Sequence, residues 1–406
     1  MIIIKGGVTA AKGFLANGVR CGIKQSGRKD LALLYSEVPC AAAASFTTNR
    51  FEASPVKVSR LHIKNKTHQA VIVNSGNANC ANGKDGDNKA AEMAASAGHA
   101  LGLARHEVLV ASTGIIGVSL PIKKIENNVA GLVDGLSKTG GRVFAETIMT
   151  TDTVRKEYAV KVKLGSSTVT IGGACKGVGM IYPAMKTEKH ATMLAFLATD
   201  AGISKRMLEE ALDEAIADSF NMISVDGDMS TNDACFILAN GLAGNEKITK
   251  KGRHYLEFVL ALKFLSLNLA RMLAADGEGA TKLLEIKVVG AHSKENARGV
   301  ARKISTSNLL KCAIYGEDPN WGRVAAACGS AGVNFDPDKT DIYLGEMKAL
   351  SNGAIAKGYS KEKARSFFKT KTVKITVDLK GGKHSATAWT CDFSKEYVAI
   401  NSEYST

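Results

Sequence analysis

The chain has 406 residues, of which 45% are hydrophobic and 23% charged. This length supports two or three domains with cores of their own, and the balance is that of a folded globular protein, which excludes the disordered and fibrous classes. The net charge of +14 is carried by Lys and Arg dispersed along the chain, with short clusters at 247–253 and 361–365 and only 6% aromatic residues, a pattern of a solvated basic surface rather than a nucleic-acid groove.

At the start, only three apolar residues follow Met1 before Lys5. That is too few for the apolar region of a signal peptide, so a cytoplasmic protein is expected. Residues 69–73 form a β-type run that ends in Asn74-Ser75-Gly76-Asn77-Ala78-Asn79, a loop able to take positive φ and to present backbone N–H groups. The alanine-rich stretch 88–103 predicts a helix. Residues 107–111 then predict a buried strand leading into Ser112-Thr113-Gly114-Ile115-Ile116-Gly117. The runs 158–164 and 168–171 flank Gly165-Ser166-Ser167 as a hairpin, which places Lys176-Gly177-Val178-Gly179-Met180-Ile181-Tyr182-Pro183 at the exit of a sheet.

After Ser204, a helix N-cap, Met207, Leu208, Ala211, Leu212, Ala215 and Ile216 recur at helical spacing. A second helix is predicted over 254–274; its apolar run is broken by Glu257, Lys263 and Asn268, which argues against a membrane span. Residues 283–289 predict a strand. Val373, Ile375, Val377 and Leu379 alternate with polar residues before Gly381-Gly382, which predicts a half-buried strand and a hairpin turn. Mixed elements in this order point to an α+β or layered αββα architecture rather than a regular βαβ array, with a last domain beginning near Leu283.

The eight cysteines form no C-x-x-C pair and the eight histidines no H-E-x-x-H spacing, so neither a metal nor another cofactor is expected. One local pattern carries chemistry. Ala191-Thr192 precedes the apolar Met193-Leu194-Ala195-Phe196, and a threonine hydroxyl beside the carbonyl of a small residue can attack that carbonyl and cut the chain. The freed α-amine, with a reference pKa of roughly 7.7–8.0, can then act as base for the same hydroxyl. By itself the pattern also describes the start of an ordinary helix.

Further segments stand in a specific order around it. They are Gly7-Val8-Thr9-Ala10-Ala11-Lys12-Gly13-Phe14, Phe46-Thr47-Thr48-Asn49, Ala53-Ser54-Pro55-Val56, the Asn74 and Ser112 segments, and Met149-Thr150-Thr151-Asp152-Thr153. Beyond Thr192 come Ser224-Val225-Asp226-Gly227-Asp228-Met229-Ser230-Thr231-Asn232-Asp233 and Asp276-Gly277-Glu278-Gly279-Ala280-Thr281-Lys282. Tyr315-Gly316-Glu317-Asp318-Pro319-Asn320-Trp321-Gly322-Arg323 and the ending Asn401-Ser402-Glu403-Tyr404-Ser405-Thr406 complete the series. Taken together and nearly end to end, they resemble the ornithine acetyltransferases of arginine biosynthesis, the bifunctional glutamate N-acetyltransferase and amino-acid acetyltransferase family.

The resemblance implies a layered αββα sandwich with a smaller C-terminal α/β domain. It implies a precursor cut between Ala191 and Thr192 into an α chain of 1–191 and a β chain of 192–406, assembled as α2β2. The β chain would comprise 192–282, completing the active site, and the C-terminal domain 283–406. The implied reaction is ping-pong transfer of an acetyl group from N2-acetylornithine to glutamate, releasing ornithine and N-acetylglutamate, with Thr192 as nucleophile and acetyl carrier. Thr113 and Gly114 match the oxyanion hole. Thr150 or Thr151, Lys176, Thr192, Glu278, Asn401 and Thr406 match substrate contacts, with the Lys176 ammonium suited to a carboxylate and Glu278 to an amine. Whether acetyl-CoA also serves as donor is left open.

The chain departs from the family where Lys186-Thr187-Glu188-Lys189-His190 intervenes ahead of Ala191, an insertion of about five residues that bears on the turn presenting the scissile carbonyl. Thr187 is an alternative nucleophile without the Met-Leu-Ala-Phe continuation. An aminopeptidase-like N-terminal-nucleophile hydrolase and an uncleaved binding protein on the same fold are the competing readings.

Overall fold

The structure is a computed structural model and describes residues 1–183 and 193–403. Its first sheet contains strands β1 (Ile2–Ile4), β2 (Phe14–Val19), β3 (Leu31–Phe46), β4 (His68–Asn77) and β5 (Val108–Ile115). It continues with β6 (Lys156–Leu164), β7 (Ser167–Lys176), β8 (Leu194–Thr199) and β9 (Ala234–Ala239). The strand order is β1-β6-β7-β8-β9-β3-β4-β5, with β2 added on β3. The sixteen-residue β3 turns this surface back on itself: its first half pairs with β2 and β4, and its last six residues pair with β9. The pairing register shifts between Tyr35 and Cys40, next to Pro39, where the missing N–H interrupts a regular ladder.

The folded-over halves face each other and bury a common layer. Leu194, Phe196 and Ala198 of β8 and Phe236 and Leu238 of β9 meet Val71 and Val73 of β4 and Leu109 and Ala111 of β5. The alternate residues point outward to helices. Ala195, Leu197 and Ile237 pack with the faces of α5 (Lys205–Ala217) and α6 (Arg253–Ala275). Ala70, Ile72, Val108 and Val110 pack under α2 (Gly83–Leu101) and α3 (Ile122–Asp134), while α1 (Ser54–His62) lies against β5 and α4 (Gly141–Thr147) against β2. Both faces of these strands are therefore dry, which is why their sequences read as unbroken apolar runs. The layers are helix, sheet, sheet, helix, the αββα order expected from the sequence. At its centre Phe196 stacks on Phe236 at 5.8 Å and meets Phe144 edge-on at 5.1 Å.

A second sheet follows, with strands β10 (Leu283–Ala291), β11 (Asp341–Leu344), β12 (Met347–Ser351), β13 (Ala354–Ile355), β14 (Thr372–Asp378) and β15 (His384–Cys391). Helices α7 (Lys294–Ser305) and α9 (Trp321–Gly329) cover it, while α8 (Asn308–Tyr315), α10 (Lys361–Phe368) and α11 (Lys395–Glu403) complete the chain described. The core is continuous with that beneath α5 and α6.

Several local expectations hold. Ser204 caps α5 by accepting a hydrogen bond from the Met207 N–H. The 158–171 hairpin is present, with a turn at Gly165 and Ser166 between β6 and β7. Three differ. The alternating run before Gly381-Gly382 is a strand, but no hairpin follows: β14 lies parallel to β10 and β15 antiparallel on its other side, so β10 separates them. Asn74 to Asn77 is strand rather than loop, because parallel pairing with residues 112–115 supplies partners for its backbone. The helix predicted over 88–103 runs Gly83–Leu101 and stops at Gly102, whose φ of 68° breaks the helical repeat.

By length and composition α6 is apolar enough to cross a bilayer. In this fold Phe258, Leu262, Leu265, Leu269 and Leu273 are buried in the core.

Candidate active site

Two strands that lead to the site, β7 within the sheet and β5 at its edge, end differently. β7 finishes at Lys176, and the chain turns at Gly177 (φ +145°), where a Cβ would fall 2.8 Å from the Ile181 side chain. β5 runs through Thr113 and Gly114, so these residues belong to the end of the strand, which extends past the 107–111 expected from the sequence. A register shift at Gly76/Asn77 lets β4 and β5 close up there. Gly114 has φ +133°, and a Cβ on it would lie 2.3 Å from the Gly76 carbonyl carbon. Only glycine fits such a close approach of two backbones.

These ends open into a cavity of about 340 Å³. Thr113, Gly114, Thr150, Thr151, Lys176, Glu278 and Asn401 all line it, although they are spread over nearly 290 positions of sequence. The Lys176 Nζ donates to Thr150 Oγ1 at 2.7 Å and to Thr113 Oγ1 at 3.4 Å. Thr151 Oγ1 donates to Glu278 Oε1 at 2.8 Å, and the Asn401 amide donates to Glu278 Oε2 at 3.0 Å. Thr150 thus belongs to the cation and Thr151 to the carboxylate. Gly179 presses against Glu278, since a Cβ there would be 2.5 Å from its Oε2, and the Glu278 N–H donates to the Val178 carbonyl at 2.8 Å. Ala191, Thr192, Thr406 and the inserted 186–190, with Thr187, lie outside the described residues. Met193, where the described chain resumes, lines the cavity.

Burial lowers the Lys176 pKa, with Asp152 opposing that shift. Asp152 is itself buried, which disfavours its charge, yet Lys176 and Lys156 outweigh this and hold its carboxyl down at about 2. A cation and a carboxylate held in one small cavity can grip a zwitterionic molecule at both ends.

Other residues of the site have no role assigned from the sequence. Asp226 lines the cavity and accepts from the N–H groups of Met180, Ile181 (2.9 Å) and Asp228 (3.1 Å); burial raises its pKa against these bonds. It anchors the turn after Lys176, where Met180 takes a φ of 53°. Asn232 donates to the carbonyls of Ala78 and Ser112, at 2.5 and 2.9 Å, and so ties the Ser224 loop to the ends of β4 and β5. Tyr397 of α11 also lines the cavity, its phenol pushed up by burial and by the carboxylates of Asp226, Asp228 and Glu278. Asp226 and Asn232 stand in one of the ordered sequence segments. Nothing local marks Tyr397.

Comparison with known proteins adds a family. The ArgJ family model matches residues 15–406. The chain is 47% identical over 405 residues to the arginine biosynthesis bifunctional protein ArgJ of Symbiobacterium thermophilum, covering 99% of each. It is 46% identical over 407 residues to the protein of that name from Dehalococcoides mccartyi, covering 100% of this chain and 98% of the relative. A crystal structure of the arginine biosynthesis bifunctional protein argJ from Bacillus halodurans is similar with a TM-score of 0.51 and 42% identity, over 52% of this chain and 100% of that one. Similarity of this extent, over a fold whose strand ends gather the family's motifs around one cavity, shows that the chain belongs to the ArgJ family.

Proposed function

We propose that the protein is a self-cleaving acetyltransferase of arginine biosynthesis, which transfers an acetyl group from N2-acetylornithine to glutamate. The observation that carries this reading is the pairing of Lys176 with Thr150 and of Glu278 with Thr151 and Asn401 in one cavity, which Met193, the residue after Thr192 in sequence, also lines. The names of the full-length relatives, arginine biosynthesis bifunctional proteins, support the same chemistry.

In this reading the chain first cuts itself. The Thr192 hydroxyl attacks the Ala191 carbonyl, the peptide C–N bond breaks, and water releases Ala191 as a carboxylate and Thr192 with a free amine. The parts are an α chain of 1–191 and a β chain of 192–282 continuing into a C-terminal domain of 283–406, paired as α2β2. N2-acetylornithine then binds with its carboxylate on Lys176 and its side-chain ammonium toward Glu278. The Thr192 amine takes the hydroxyl proton as the oxygen attacks the acetyl carbonyl. The oxyanion is met by the Thr113 hydroxyl and the Gly114 N–H, donors of a type worth about 2.7–4 kcal/mol each. The C–N bond breaks, ornithine leaves with the proton, and the acetyl group remains as an ester on Thr192. Glutamate repeats the approach with its amine, and N-acetylglutamate leaves.

Mass spectrometry of the denatured protein tests the first half. Two fragments meeting at Ala191/Thr192, absent in Thr192→Ala, are expected; a single intact chain in an active preparation rules out the mechanism and favours an uncleaved protein. Release of acetate from N2-acetylornithine at the same rate with and without glutamate would make it a hydrolase instead. Formation of N-acetylglutamate from acetyl-CoA decides whether that donor is also accepted.

A further inference from the structure

Next to the cavity lies a buried chain of alternating charges whose inner members have no role in the reaction above. Lys156, the first residue of β6, has a fully buried side chain. Its Nζ is 2.7 Å from Asp152 Oδ1 and 2.5 Å from Asp276 Oδ2, and it donates to the Val154 carbonyl at 3.2 Å. All three ammonium protons are therefore used. Asp152, also fully buried, accepts Lys156 and the Gly177 N–H (2.8 Å) on Oδ1 and the Thr150 N–H (3.1 Å) on Oδ2. Lys176 stands 3.8 Å from Asp152, attracted to it but beyond hydrogen-bond length, and its donors go to Thr150 and Thr113 at the cavity wall.

We propose that Lys156 is a positioning residue: by occupying Asp152 and bridging it to Asp276, it keeps the Lys176 ammonium out of a tight ion pair and turned to the substrate carboxylate. This rests on the reading of Lys176 as that carboxylate's partner. The two carboxylates and two ammonium groups sum to zero charge, so burial leaves no net charge unmatched. Without Lys156, the Asp152 carboxylate 3.8 Å away would be free to pair with Lys176 and would draw it from the neutral Thr150 and Thr113 hydroxyls at the cavity. The same lysine joins both sides of the site. Asp276 accepts from the Thr153 N–H, the Thr153 hydroxyl and the Val154 N–H, next to the Thr150 and Thr151 turn, and it lies two residues before Glu278. A buried ion pair is weak evidence of a stability role, since well-packed apolar residues usually serve as well. A geometric role explains why a lysine stands there.

The test uses the cut enzyme with N2-acetylornithine as donor. In Lys156→Met/Asp276→Asn the net charge is unchanged, and the Asn can still accept from Thr153. Lys176 should close on Asp152, raising the KM for N2-acetylornithine by roughly tenfold, the loss of one charge-assisted hydrogen bond, with kcat within about threefold and an unchanged melting temperature. Lys176→Met provides the reference. If it raises KM and the double variant does not, the positioning role is overturned while the site reading stands; if Lys176→Met leaves KM unchanged, both fall. A loss of kcat and melting temperature at constant KM marks a purely structural role and also overturns the proposal.

Should the double variant fail to fold, Asp276→Asn decides alone. The charged groups facing Lys176 are Asp152, Lys156, Asp233, Glu278 and Lys24. Removing the Asp276 charge commits Lys156 fully to Asp152 and so lowers the Lys176 pKa further. The alkaline fall of kcat/KM should then move to lower pH, and an unmoved limb overturns the proposal.

Discussion

Replacing Gly114 by alanine probes the site through a single methyl group. The residue holds φ at +133°, and the new Cβ would lie 2.3 Å from the Gly76 carbonyl carbon and 2.5 Å from the Asn77 nitrogen. Both are backbone atoms of β4, so no side chain can swing aside. Reaching an ordinary contact of 3.4 Å requires the strand ends to part by about 1 Å. The backbone conformation itself adds on the order of 1–3 kcal/mol of strain. A displacement of about 1 Å at a reacting centre costs roughly a hundredfold in rate, and loss of an oxyanion donor costs about 10²–10³ in kcat.

Gly114→Ala should therefore lose about two to three orders of magnitude in kcat for transfer from N2-acetylornithine to glutamate. Its cut state must be checked by mass, because self-cleavage builds an oxyanion of its own. Gly117→Ala is the control: it has φ +80° but nothing within 4 Å of an added methyl, so it should cost about 1–2 kcal/mol of stability and leave kcat near wild type. A Gly114→Ala enzyme within threefold of wild-type kcat refutes the proposed role of the Gly114 N–H.

Fully buried His68 has Nε2 3.0 Å from the His62 carbonyl oxygen, and burial pushes its pKa down to about 4. The unfolded chain binds this proton near pH 6.5 and the folded one does not, so stability is intact above 6.5 and falls by up to about 3 kcal/mol as pH drops toward 4; urea melts across that range should show a flatter slope for His68→Leu. Phe196→Ala should cost about 3–5 kcal/mol in chemical denaturation, because the ring fills the layer between the two sheets against Phe144 and Phe236; a cost below 1 kcal/mol would contradict that packing. Asn401→Ala removes the amide that donates to Glu278 and should raise the KM for N2-acetylornithine by about fivefold at constant kcat, equivalent to about 1 kcal/mol; an unchanged KM would separate Asn401 from substrate binding.

What the sequence determined on its own follows from short-range physics. Ser204 with its apolar stripe, the turn at Gly165 and the alternation at Val373 to Leu379 are patterns of neighbouring residues, and each specifies its element wherever it lies. Lys176, Thr113, Gly114 and Glu278 were singled out by the resemblance of the ordered motifs to a family, and the fold brings all four to one cavity. The tertiary structure alone decided the rest. Whether Gly381-Gly382 turned a hairpin depended on β10, almost a hundred positions earlier, taking the place between β14 and β15. Asn74 to Asn77 became a strand only because β5 offered partners for its backbone. Lys156 reads as an ordinary lysine at the start of a strand until Asp276, 120 positions away, closes on it. A charge is tolerated in the interior only where distant parts of the chain supply its counter-charges, and those parts meet only when the layers have packed.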